Sequence, residues 1–305
     1  MKPTLMLDRR SFLKTTLAGA GTLLGAPTLG WAEPAPRARS ASDRVPLGKT
    51  GIRCSYLAQG TGFNGGARSS DHTRMGQEKF TRLLRHSFDE GGVNFLDLAD
   101  LYGSHPFVRN AMKGVPRDRY VVLTKLWPRK EDWNTPSGGA QEEIDRFRKE
   151  LDTDMIDICL IHCMLNDRWP QEYAGIRDGL SALKQKGVVR AVGVSCHDHG
   201  ALKLAAADPW VDVIFARINH KGGSDYLCDD TVEAVTKTLK RARANGKAVV
   251  GMKIFGAGKL TDSEAKDASL KYVIGNDLVD AMTIGMLSTE QVDDTIQRIN
   301  KTLKA

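Results

Sequence analysis

Four residues with reactive side chains stand where short apolar runs end: Asp97 and Tyr102 in "NFLDLADLYGSH" (94–105), Lys125 in "VVLTK", and His162 in "CLIH". A carboxylate in a run that looks like a buried strand costs several kcal/mol unless a cation meets it, so Asp97 needs a partner and Lys125 is the natural one. An ammonium beside the Tyr102 phenol would favour the phenolate and lower a pKa of about 10 toward the working range. Such a tyrosine could give a proton and take it back. A neutral His162, with one donor and one acceptor, could orient a carbonyl oxygen or relay that proton.

These residues need elements that bring strand ends together. Side chains alternate along a strand, so Val121, Leu123 and Lys125 share one face, as do Ile158, Leu160 and His162. After Arg44 the chain alternates Val- and Ile-rich runs with amphipathic ones, with helix stops at Gly91-Gly92 and Gly187, and eight strand–helix pairs can be counted. That number in residues 44–305 predicts an α/β fold, a closed (β/α)8 TIM barrel, in which reactive groups gather at the carboxyl ends of the strands. An open doubly wound sheet is the competing architecture, but no Gly-x-Gly-x-x-Gly turn follows the first strand. Before the barrel, "VPLGKTGIRCSYL" reads as an N-terminal β-hairpin.

The front of the chain has another character. Residues 1–32 have a basic start, an apolar, glycine-rich middle and a small residue at Ala32, which is the pattern of an export signal. "DRRSFLK" resembles the consensus of twin-arginine leaders, which implies a twin-arginine (Tat) signal peptide, the twin-arginine translocase as partner, and a periplasmic bacterial protein exported already folded. Residues 33–43 read as a flexible lead-in, and 44–305 as the barrel domain. The 305 residues carry a formal charge of +7, of which about +4 lies beyond residue 32, too little to argue for nucleic acid. No second apolar run of spanning length follows, so no stable membrane span is expected in the mature form. The five cysteines do not make a disulfide framework, and none is expected to pair. "SCHDHG" (195–200) gathers potential metal ligands, but neighbouring positions on a strand end point apart, and no metal is expected.

The order Asp-x-Ala-x-x-Tyr-Gly, Thr-Lys, then a strand ending in His resembles the aldo-keto reductase superfamily over nearly the whole mature chain. The resemblance implies hydride transfer between a nicotinamide cofactor and a small-molecule aldehyde or ketone, with Asp97, Tyr102, Lys125 and His162 as the catalytic tetrad and Tyr102 as general acid and base. It implies cofactor contacts at Gly60, Thr61, Gly62, Ser195, Cys196 and Phe215. The glycine-rich "KIFGAGKL" adds Lys253, Gly256, Gly258 and Lys259, and "TIGMLSTEQ" adds Gly285, Ser288 and Gln291. NADP(H) is favoured over NAD(H) by the family and by the nearby lysines. Trp127, Trp133, Met164 and Trp169 are expected as walls of the substrate pocket. Two other readings stay open: a cofactor-binding sensor or partner subunit with little turnover, and a sugar oxidoreductase that keeps its cofactor tightly bound.

Overall fold

The structure, a computed structural model, describes residues 38–129 and 139–305. The export segment and Trp133 lie outside the described residues. Strands β1 (Arg44–Pro46) and β2 (Arg53–Ser55) pair antiparallel as the expected hairpin. Its turn plugs the amino-terminal end of the barrel. Gly48 has φ +50, and a β-carbon there would lie 2.6 Å from the backbone nitrogen of Ala248, the first residue of a barrel strand, so only glycine fits that contact.

The barrel strands are β3 (Leu57–Gly60), β4 (Phe95–Asp97), β5 (Val121–Leu126), β6 (Ile156–Met164), β7 (Val189–Cys196), β8 (Val213–Arg217), β9 (Ala248–Met252) and β10 (Ala281–Ile284). They run parallel and close on themselves, with β10 returning to pair with β3. The fold is therefore the expected (β/α)8 barrel with an N-terminal hairpin. Nearly every strand residue is buried, because one face packs the barrel interior and the other meets the helices. Each fully buried Val, Leu or Ile contributes roughly 1.5–3 kcal/mol of transfer free energy.

The covering helices follow from apolar spacing and local caps. Helix Ala140–Leu151 turns Ile144, Phe147 and Leu151 inward and stops where Asp152 adopts φ +56. Asp198, Thr231, Asp262 and Ser288 each accept a backbone N–H at the start of a helix, so the connections re-enter at fixed points. One strand is irregular. β6 slips register against β7 between Ile161 and Met164, with Cys163 at φ +67. That bulge immediately follows His162 at the carboxyl end of the barrel. All five cysteines are free thiols.

Candidate active site

Asp97 ends β4, with Gly60 of β3 on one side and Leu123 of β5 on the other. Two residues further along β5 puts Lys125 beside it. The fully buried ammonium ion-pairs with one Asp97 oxygen and donates to the Leu98 carbonyl at 2.8 Å. The second Asp97 oxygen accepts the Thr283 hydroxyl at 2.9 Å, which ties the carboxylate to β10 across the closure of the barrel. Lys125 Nζ also lies 4.5 Å from the centre of the Phe215 ring and 5.0 Å from that of Tyr102. Burial lowers the pKa of this lysine, and the Asp97 charge and hydrogen bond work against that shift.

Tyr102 closes a 3-10 turn, Asp100–Tyr102, that ends at Gly103. Its ring meets His162 edge-on, with centroids 5.7 Å apart and planes at 87°. The expected acidic phenol is not what the structure holds. Burial pushes the phenol well above its usual value, and the Asp97 carboxylate adds to the rise. The physical reason is desolvation: a phenolate in that buried position loses its hydration, and the Asp97 charge beside it repels it as well. The phenol therefore keeps its proton at neutral pH, a state in which it can donate one.

His162 is buried and held neutral, first by desolvation and then by the Lys125 charge, and its Nδ1 has no hydrogen-bond partner. Trp127 also meets it edge-on, at 5.4 Å. A buried imidazole nitrogen without a partner, beside a phenolic proton, suits an incoming oxygen.

A cavity of about 360 Å³ runs from Asp97 and Tyr102 along the mouth to the start of the last helix. Gly60, Gly62, Phe215, Lys253, Gly258, Gly285 and Gln291 line it. Other expected contacts stand outside that lining. The Thr61 hydroxyl turns away to the Asp97 carbonyl at 2.9 Å. Ser195 accepts the Cys163 N–H at 2.7 Å and so braces the β6 bulge, and Cys196 is buried beside it in β7. Gly256 is buried, Lys259 donates to the Asp225 carbonyl at 2.6 Å, and Ser288 caps the last helix. Sequence reasoning missed Phe63, Met252, Thr283 and Asp294, all of which line the cavity.

The substrate walls divide. Trp127 is at the site against His162, whereas Met164 is fully buried and absent from the cavity lining. Trp169 is a correction: it is fully buried in the outer layer, 6.2 Å from the Trp210 ring, with the Arg177 guanidinium over it. The short helix Trp169–Glu172 turns the indole into the core instead of toward the mouth. In "SCHDHG", His199 bonds Asp230 at 2.6 Å and Thr238 at 2.9 Å, and no metal-like cluster forms among the described residues.

The chain is similar to several characterised proteins. It is 24% identical to L-galactose dehydrogenase from Arabidopsis thaliana over 291 residues, covering 84% of this chain and 87% of that protein. It is 26% identical to the NADH-specific methylglyoxal reductase of Escherichia coli, covering 73% and 71%. An aldo-keto reductase of Bacillus halodurans, solved in its holo form, shares the fold with a TM-score of 0.66 at 20% identity, covering 86% of this chain and 95% of that one. A Klebsiella pneumoniae aldo-keto reductase solved with NADPH superposes with a TM-score of 0.62 at 18% identity, covering 86% and 90%. Residues 60–304 match the aldo/keto reductase family. With the closed barrel and its clustered aspartate, tyrosine, lysine and histidine, that match places this oxidoreductase chain in the aldo/keto reductase family.

Proposed function

We propose that the chain reduces an aldehyde or ketone with hydride from a nicotinamide dinucleotide, and that Tyr102 supplies the proton. The observation that carries this reading is the protonated Tyr102 phenol at one end of a long cavity, with the neutral His162 ring edge-on to it and its Nδ1 without a partner. His162 donates a hydrogen bond to the carbonyl oxygen and fixes it within reach of the phenol. Tyr102 then protonates that oxygen as negative charge develops on it. Lys125, locked by Asp97, limits the cost of the phenolate left behind.

The cavity suits the cofactor class. Its floor offers apolar Phe215 and Met252, Gly258 and Gly285 allow close backbone approach, and Gln291 lies in the first turn of the helix Thr289–Lys304, whose amino terminus favours negative charge. A reduced nicotinamide bound there supplies hydride to the carbonyl carbon. Lys253 and Lys266 line the cavity and support NADP(H), in keeping with the Klebsiella pneumoniae relative solved with NADPH. A second reading, NAD(H), is favoured by the Asp294 carboxylate in the same lining, since an acid there suits a ribose hydroxyl better than a phosphate. Turnover of 4-nitrobenzaldehyde with each cofactor, compared with Tyr102→Phe, tests the reading. The variant should lose roughly 10²–10⁴-fold in kcat. Equal, negligible rates with cofactor still bound would favour a sensor or partner subunit instead.

We also infer export of the folded protein through the twin-arginine translocase to the periplasm, supported by "DRRSFLK" in the first 32 residues. Replacing Arg9 and Arg10 together by lysine should leave the protein inside the inner membrane on fractionation. Periplasmic recovery of that variant would overturn the assignment.

A further inference from the structure

Among the described residues, the cations Lys125, Arg217, Lys253 and Arg129 stand on strands and loops at the mouth of the barrel, and they are not equally committed. Lys125 belongs to Asp97, and Arg217 ion-pairs with Asp229. Lys253 lines the cavity on the β9 side, the side the dinucleotide reading already uses. Arg129 stands apart from these three. It follows β5 by three residues, and its guanidinium lies 4.2 Å from the centre of the Trp127 ring, close to the indole that meets His162 edge-on. Neutral partners hold it in place. It donates to the Cys163 carbonyl at 3.1 Å on the β6 bulge, and no carboxylate among the described residues stands within ion-pair distance.

Tyr102, His162, Trp127 and Arg129 thus form one continuous row at the carboxyl end of the barrel. The first two residues would take a carbonyl oxygen. The last is a stacked, half-buried guanidinium whose charge meets no acid among the described residues. A planar guanidinium held this way pairs best with a carboxylate, through parallel charge-assisted hydrogen bonds that a neutral substrate cannot offer.

We propose that Arg129 is a substrate-specificity residue that selects carbonyl compounds bearing a carboxylate at the end remote from the reacting carbon. The inference rests on the reading of Tyr102 and His162 as the reacting end. A substrate of this class would lie along Trp127 with its acid on Arg129 and its carbonyl between the phenol and the imidazole. Burial works to lower the guanidinium's pKa, but Tyr173 and Cys163 beside it outweigh that and hold it above its usual value, so the charge is present at every working pH.

The test compares 4-carboxybenzaldehyde with 4-nitrobenzaldehyde in the full chain and in Arg129→Met and Arg129→Lys. The ratio of kcat/KM for the acid to that for the nitro compound should fall about 30-fold in Arg129→Met. Arg129→Lys, which keeps the charge and loses the fork, should recover part of it. An unchanged ratio would overturn the proposal. Binding of 4-carboxybenzyl alcohol, followed by tryptophan fluorescence, requires no turnover and should weaken about tenfold in Arg129→Met. Equal binding by both proteins would mean that the carboxylate sits on Tyr102 and His162 instead, and would overturn the proposal. If neither aldehyde turns over while the binding contrast persists, Arg129 stands and the hydride-transfer reading alone fails.

Discussion

Gly62 lies flat against the Tyr102 ring: a β-carbon built at position 62 would sit 2.3 Å from Cζ and 2.4 Å from Cε2 of the tyrosine. The contact is at the hydroxyl end of the ring, so this glycine leaves the phenol no room to move toward position 62. Gly62→Ala must push the ring aside, because the clash is with an aromatic carbon and not with the tip of a flexible chain. Displacements of this kind at a reacting group cost about 100-fold. We expect kcat/KM to fall by about that factor while the unfolding midpoint in urea changes little. Undiminished turnover in the alanine variant would show that the phenol is not confined there.

The turn that carries Tyr102 is held from below. Asp100 is buried and takes Arg68 at 3.2 Å and Arg146 at 2.9 Å, and Arg146 reaches on to Glu150, which accepts from His105. Asp100 thus positions the phenol without touching it. Removing one partner of a buried ion pair typically costs 3–5 kcal/mol. Asp100→Ala should lose about 3 kcal/mol in urea denaturation and lower kcat more than it raises KM. Asp100→Glu should restore part of kcat. A loss of stability with kcat unaltered would make Asp100 structural only.

Much of this arrangement was legible in the sequence, for physical reasons. Strand periodicity put Lys125 and His162 on the inward parity, and the unmatched acid at Asp97 called for a cation. What was illegible depends on contacts that span the chain. Thr283 reaches Asp97 from 186 residues away, and nothing in "AMTIG" marks it as a partner. Trp169 follows the histidine strand as a rim residue would, yet it packs on Trp210, because the short helix that holds it turns inward. The direction of the Tyr102 shift was missed because a sequence displays neighbouring charges and not the desolvation that outweighs them.

Asp97 and Lys125 should behave as one unit. Each is buried, each is the other's principal countercharge, and a lone survivor would be an uncompensated charge inside the barrel. Asp97→Asn and Lys125→Met should each destabilise the fold by about 3 kcal/mol or more. The double variant should cost clearly less than the two together. Both singles should also cut turnover, since each disturbs the ammonium beneath Tyr102. Additive losses in a double-mutant cycle measured by urea denaturation would sink the idea of a coupled pair.

Acid should unfold this protein through buried imidazoles. Burial holds His72 at a pKa of about 4 and His197 at about 3, and His162 also lies well below its ordinary value. Each of these groups binds a proton more readily in the unfolded chain, at about 6.5, than in the folded one. The stability that depends on keeping them neutral is therefore complete above pH 6.5 and is lost as pH falls below it, at about 1.4 kcal/mol per pH unit for each group. His72 shows why: its Nε2–H donates to the Met286 carbonyl at 2.9 Å, while its buried Nδ1 has no partner to receive a proton's charge. It alone should account for about 3 kcal/mol by pH 4. Urea denaturation of wild type and His72→Gln between pH 7 and pH 4 measures this directly. The variant should start less stable but fall with a shallower slope, and parallel slopes would show that His72 is not among the groups that titrate on unfolding.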